Sequence, residues 1–350
     1  MEKSTTAAIL LLLYFFEFCP QPGVSSFANP SDDLGGTAGC PLVTTLSANY
    51  SVLLLERGNI PSAYPNVLRQ NETLANFMQE DGGKTPVQRF TSEDGVANVR
   101  GRILGWSSMI NIGIFSRADS EFYDKSGIKL DMNLVNNSYE WVENTVIFRP
   151  NVTRWQSVVK DAMLEAGVRP DNGLTLDHIL GSKVTGTLLD NRGKRHGAVE
   201  HLNKGHPKNL RVAIHATVER IIFSFKASGL SAKGIIYSDS NGRSHRALIR
   251  GKGEVILSAG AIGSPQLLLL SGVGPKSYLS SRKIPVVHPQ PYVGQFMRDV
   301  VDEDLRVMGI KALRVVDGSV FNLSPGTNPQ ATLMMLGRYV GVQMLEERSE

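Results

Sequence analysis

The stretch from Gly35 to Glu56 constrains this 350-residue chain more than any other. Gly35-Gly36-Thr37-Ala38-Gly39 is a glycine-rich turn, and Cys40 to Ala48 is compatible with a helix. Val52 to Leu55 is a short apolar strand that runs into Glu56-Arg57-Gly58. Turn, helix, strand and terminal acid make up most of a βαβ dinucleotide-binding unit. In such a unit Gly36 lets backbone approach a pyrophosphate, and Gly39 lets helix and strand pack closely. Glu56, 20 residues after Gly36, stands where a carboxylate accepts hydrogen bonds from ribose hydroxyls. Two parts are missing: Leu34 occupies the first glycine position of G-x-G-x-x-G, and Phe27 to Asp33 is too polar for the strand that should precede the turn. An ordinary glycine-rich turn is the alternative reading.

Later segments suggest a mixed α/β chain. Gly101-Arg-Ile-Leu-Gly-Trp-Ser-Ser-Met-Ile-Asn111 is a loop of small residues before an apolar run. Trp155, Val158, Val159, Ala162 and Ala166 have helical spacing, with Gly167 as C-cap. Residues 210–258 alternate apolar and polar around Gly234 and Asn241-Gly242, which predicts a β-meander with a hairpin turn. Glu254 to Ser258 reads as a buried strand, after which Ser264 and Pro265 are expected at the N-cap and first position of a helix. Ala312 to Val316 reads as a strand ending at Asp317-Gly318, and Asn328 as the N-cap of a last helix opened by Pro329.

Residues 1–26 are expected to be a signal peptide: Lys3 precedes the apolar run Ala7 to Phe16, which is too short to span a bilayer. Sequons at Asn49, Asn71, Asn136, Asn151 and Asn322 suit a secreted, extracellular chain. Beyond Cys19 in the leader the only cysteine is Cys40, expected to be a small buried residue rather than a nucleophile. The net charge of +4 is too small and too scattered for nucleic-acid binding. The seven histidines show no metal-ligand spacing, so no metal site is expected.

Gly260-Ala-Ile-Gly-Ser-Pro-Gln-Leu-Leu-Leu-Leu-Ser-Gly-Val-Gly274 resembles the second signature of the glucose–methanol–choline (GMC) oxidoreductases. Gly101 to Asn111 resembles the first signature, Gly35 to Glu56 the FAD-binding start, and Asn322 to Gly337 the C-terminal flavin segment. Leu134-Val-Asn-Asn-Ser-Tyr-Glu-Trp-Val142, Pro170-Asp-Asn-Gly173 and Tyr292-Val-Gly-Gln-Phe296 bring the likeness closer to the plant HOTHEAD and mandelonitrile lyase group.

The resemblance implies a Rossmann-like FAD-binding domain of GMC type and FAD-dependent oxidation of a small alcohol to a carbonyl. In the lyase branch it implies cleavage of a cyanohydrin. It places Gly36, Gly39 and Glu56 on the ADP half of FAD and Val218 at the adenine. Ser107, Ser108 and Asn111 would lie along the pyrophosphate and flavin, and Asp317 and Gly318 on the flavin side. Asn328 corresponds to the second of the family's two catalytic positions, where its amide could donate to a substrate oxygen; capping the helix is the compatible alternative. The expected organisation is an FAD-binding domain with β-meander and partial substrate-domain segments over 27–299, then a flavin-side segment over 300–350.

Three departures accompany the likeness. Leu34 replaces a phosphate-loop glycine. Trp106 stands where the family has the second glycine of Leu-Gly-Gly-Ser-Ser. Gly294-Gln-Phe-Met-Arg-Asp299 runs almost directly into Val301-Asp-Glu-Asp-Leu-Arg-Val307, whereas in relatives these stretches flank most of the antiparallel substrate domain and the histidine that serves as catalytic base. The last histidine here is His288. A working alcohol oxidoreductase, a hydroxynitrile lyase and a secreted non-catalytic remnant are the three functions in view. The shortened substrate domain is also expected to leave apolar sheet surface exposed.

Overall fold

In the computed structural model, which describes residues 36–326 and 328–349, the Gly36 turn leads into helix α1 (Gly39–Leu46) and strand β1 (Val52–Leu55). The leader, Leu34 and the polar run 27–33 lie outside the described residues. Asp131 accepts from the amides of Asn133 and Leu134 and starts α2 (Met132–Val146). Thr153 and Gln156 close a reciprocal capping box on α3 (Arg154–Glu165). Strand β2 (Leu210–Ala213) is followed by β3 (Thr217–Lys226), β4 (Gly229–Ser238), β5 (Ser244–Leu248) and β6 (Val255–Leu257). Helix α4 (Gly260–Leu270), strand β7 (Leu313–Val315) and helix α5 (Gln330–Glu346) complete the frame of the site.

The meander is narrower than the alternation suggests. Only β3, β4 and β5 form it, as an antiparallel sheet with β4 in the middle. The ends of the 210–258 stretch leave it, because β2 and β6 are mostly buried rather than alternating and suit a sheet covered on both faces. Accordingly β2 pairs in parallel with β1, Val52 opposite Leu210 through Leu55 opposite Ala213. Strand β6 pairs in parallel with β7, Val255 opposite Leu313. Among the described residues these are two separate parallel pairs, not one sheet.

All eight residues of α1 are buried, so it acts as a core element between the strands and α5. Fully burying side chains such as Leu42, Val43 and Leu46 is worth about 1.5–3 kcal/mol each. Gly337 makes the α1–α5 approach possible: a Cβ there would lie 2.0 Å from the Ala38 carbonyl oxygen. No helix among the described residues is long and apolar enough to cross a membrane.

The chain around 297–307 packs onto the core, while Phe225 on β3 and Leu248 on β5 stay exposed. Met297, Val300, Val301, Leu305 and Val307 are all buried, and a bridge between Val301 and Val307 closes a tight reversal over the core. Apolar exposure is also concentrated on α3, which has no buried residue; Trp155 is 73% exposed, Val158 52% and Met163 42%. A contiguous apolar face of this kind promotes association. Replacing Trp155 and Val158 together by glutamate is therefore expected to abolish concentration-dependent self-association in sedimentation velocity. Identical profiles for parent and variant across a dilution series would show that α3 is not the sticky surface.

Candidate functional site

Between the two parallel pairs lies a cavity of about 160 Å³, lined by Leu54 and Glu56 from the first pair and by Ile256 and Leu257 from the second. Gly36, Gly39, Trp106, Val218 and Gln266 are also among its lining residues. Glu56 sits at the carboxyl end of β1, where its amide donates to the Ala213 carbonyl and its carbonyl accepts from the Ala216 amide, both closed to 2.9 Å or less. Its side chain is buried: Oε1 accepts from the Gly58 amide at 2.7 Å and Oε2 from the Trp106 indole Nε1 at 2.8 Å. Burial pushes its carboxyl up to about 7, against the opposing pull of the Gly58 amide and the Arg57 charge.

The first-signature loop turns most of its polar atoms inward. Ser107 is exposed and its hydroxyl accepts weakly from the Gly101 amide at 3.4 Å. Ser108 donates to the Gly105 carbonyl at 2.6 Å and accepts from the Ala198 amide at 3.1 Å. Asn111 donates to Gln330 at 2.8 Å, and its Oδ1 accepts from the Gly113 amide and from Arg195. Sequence reasoning expected Ser108 and Asn111 to lie along a ligand; here the side chains of both are engaged with protein partners.

Arg195 is the residue that sequence reasoning missed. In sequence it lies in the run Asn191-Arg-Gly-Lys-Arg-His-Gly197, which carries no motif, yet its guanidinium is fully buried beneath the loop. It donates to the carbonyls of Val67, Ser108 and Asn111, to Asn111 Oδ1 and to Thr73 Oγ1. Burial lowers it to about 10, so it remains charged at neutral pH.

On the other side, Asp317 follows β7 and is also engaged internally. It accepts from the Gly260 amide at 2.9 Å, the Ser264 hydroxyl at 2.5 Å and the Ser319 amide at 2.8 Å. Burial raises its carboxyl above the usual range. One expectation is corrected here: Ser264 is not a cap, since the helix starts at Gly260 and Pro265 lies inside it. Leu333 packs close over Gly318. Asn328 is partly buried and does not cap α5, which begins at Gln330 with Pro329 at the cap position and no side-chain cap bond. Cys40 is buried, and burial raises its thiol well above the usual value. Asn49, Asn71, Asn136, Asn151 and Asn322 are all exposed.

The structure thus brings Gly36, Gly39, Glu56 and Val218 together around one cavity, while Ser108, Asn111 and Asp317 are held in internal hydrogen bonds. With Trp106 seated against Gly36, the remaining space is well below the roughly 300–1,000 Å³ of a small-molecule site. The indole narrows the space beside Gly36.

Residues 35–301 match the amino-terminal family model described as GMC oxidoreductase, and residues 294–337 match its carboxy-terminal counterpart. The chain is 56% identical over 325 residues to (R)-mandelonitrile lyase 2 of Prunus dulcis, covering 85% of this chain and 58% of that protein. It is 53% identical over 315 residues to Sinalpyl alcohol oxidase Nec3 of Nesocodon mauritianus, covering 85% and 56%. It therefore spans little more than half the length of these curated relatives. With the (R)-mandelonitrile lyase-like protein of Arabidopsis thaliana it is 36% identical over 490 positions, covering 90% of this chain and 89% of the relative. Those 490 positions exceed the 350 residues of this chain by 140, so the alignment bridges a long internal gap. Among solved structures, a formate oxidase variant from Aspergillus oryzae RIB40 matches with a TM-score of 0.71 at 13% identity, over 90% of this chain and 97% of that one; this is a likeness of fold alone.

Proposed function

Because the chain belongs to the GMC oxidoreductase family, whose members are FAD-binding flavoproteins, we propose that it derives from an FAD-dependent enzyme oxidising the CH–OH group of a small alcohol, and that this form does not turn over. The junction around Asp299 and Val301 carries the second half of that reading. The two family matches overlap at 294–301, and no histidine follows His288. Hydride leaves an alcohol carbon readily only as the hydroxyl proton departs, and a positioned general base contributes about 10²–10⁴-fold to such a step. Asn328 cannot serve, since a carboxamide only donates or accepts hydrogen bonds.

Three of the seven histidines have other partners. His196 lies between Asp190 and Glu200, His245 pairs with Asp239, and His201 is buried in a stack on Trp141. The family roles of Gly36, Gly39, Glu56 and Val218 toward ADP, and of Ser107, Ser108, Asn111, Asp317 and Gly318 toward pyrophosphate and flavin, belong to the ancestral site in this reading. Export through the leader is supported by the exposure of all five sequon asparagines. A second reading, cyanohydrin cleavage, is supported by the 56% identity to a mandelonitrile lyase. Asparagine rather than histidine at 328 favours the oxidoreductase line, and the lyase chemistry requires a histidine as well.

The test supplies the purified chain with excess FAD under anaerobic conditions and follows flavin bleaching by primary and benzylic alcohols. A parallel arm measures aldehyde released from an aromatic cyanohydrin. Both rates are expected to match free FAD. Alcohol-driven bleaching ~10²-fold above that control would show that a base is present after all, and aldehyde release alone would move the assignment to the lyase.

A further inference from the structure

Trp106 is held more tightly than a surface aromatic in a loop would be. Gly105 and Trp106 have φ of +92° and +50°, two successive left-handed residues, and the second is a bulky side chain in a conformation that such residues rarely adopt. A strained residue persists only where its surroundings over-determine it. Here they do so in three ways. The indole N–H donates to Glu56 Oε2 at 2.8 Å. The Arg57 guanidinium lies 5.8 Å from the ring centroid, within cation–π range. The ring also lies against glycines of both turns that open onto the cavity. A Cβ at Gly36 would stand 3.6 Å from its Cδ1, one at Gly263 3.6 Å from its Cη2, and one at Gly260 only 2.9 Å from its Cζ3.

We propose that Trp106 is an internal ligand of the dinucleotide cradle: its indole occupies the place of the nucleotide's ribose and phosphates, so that its seating and dinucleotide binding exclude one another. This rests on the reading of the cavity as that cradle. The indole N–H takes the carboxylate acceptor that a ribose hydroxyl would need, and the flat ring takes the space that Gly36 and Gly260 leave open for phosphate. The chain thereby keeps its glycine turns and buried Glu56 satisfied without cofactor.

The experiment compares the full chain with Trp106→Gly and Trp106→Asn, glycine and asparagine being residues that accept positive φ. Each is expressed with FAD in the medium, then titrated with FAD and separately with ADP by calorimetry. The parent is expected to come out colourless. Both variants are expected to retain flavin and to bind FAD and ADP at least ~10-fold more tightly than the parent, a shift of about 1.4 kcal/mol. Equal FAD affinity in parent and variants would leave the cradle reading intact and overturn the plug. Failure of every protein, including a Trp106→Gly/Leu34→Gly double variant, to bind either nucleotide would overturn the cradle reading and the plug with it. Variants that stay insoluble even with FAD present would also overturn the plug, because an opened cradle should be stabilised by its ligand.

Discussion

Replacing Arg195 by methionine is expected to lower the stability of the chain by about 4 kcal/mol, with a fall in Tm of about 5 °C. All five N–H groups of the buried guanidinium are used, on three carbonyls, a carboxamide oxygen and a hydroxyl. Methionine fills a similar volume but donates nothing, so the carbonyls of Val67, Ser108 and Asn111 would stay buried without this donor. A buried acceptor stripped of its donor costs about 1–3 kcal/mol. No carboxylate among the described residues forms an ion pair with Arg195, so the loss comes from orphaned neutral acceptors rather than from a broken salt bridge. Lysine retains the charge with fewer donors and a different geometry, and is expected to fall between the two. Thermal melts of the three proteins measure this; a methionine variant melting within ~2 °C of the parent would mean that the loop holds its shape without the guanidinium.

The second expected result concerns pH. Burial raises Glu56 from 4.5 to about 7 and lowers His201 from 6.5 to about 4. Between pH 4.5 and 7 an unfolded chain has released the Glu56 proton while the folded chain keeps it, so this group's stabilisation is lost as pH rises. Between pH 4 and 6.5 an unfolded chain binds a proton on His201 that the folded chain refuses, so this group's stabilisation is lost as pH falls. Each effect is worth about 3 kcal/mol across its window, at ~1.4 kcal/mol per pH unit, and over the shared range they cancel. Single variants should uncover them. The stability difference between parent and Glu56→Gln is expected to shift against the parent by about 3 kcal/mol from pH 4.5 to 7. The difference between parent and His201→Leu is expected to shift in the parent's favour by about 3 kcal/mol from pH 4 to 6.5. Urea midpoints across the pH range read both, and pH-independent differences would mean that neither group titrates abnormally in the folded chain.

Local order along the chain was enough for much of this fold. Glycine spacing and the apolar run at Val52–Leu55 determined the turn, α1, β1 and the place of Glu56, because turns, caps and short buried strands depend on neighbours within a few residues. The strand before Asp317 was legible for the same reason, whereas the helix after β6 starts at Gly260 rather than after Ser264 as its capping signal suggested. The helix at Arg154–Glu165 was legible too, but its environment was not. Periodicity shows that a helix has an apolar face without showing that anything covers it, and here the face meets solvent.

Tertiary structure decided which side chain meets which. Ser108 and Asn111 carry the right chemistry for a ligand, yet a buried arginine and a glutamine 219 residues from Asn111 claimed part of it. Asp317 was drawn to the first turns of a helix 57 residues away. Trp106 was visible in sequence as a misfit at a glycine position. That its indole reaches back 50 residues to satisfy Glu56 depended on the parallel pairing of Val52–Leu55 with Leu210–Ala213, which sets the carboxylate at the mouth of the cavity. Burial without water leaves each polar atom to find a partner among whatever the fold brings near, and that choice is made over distances at which sequence order carries no information.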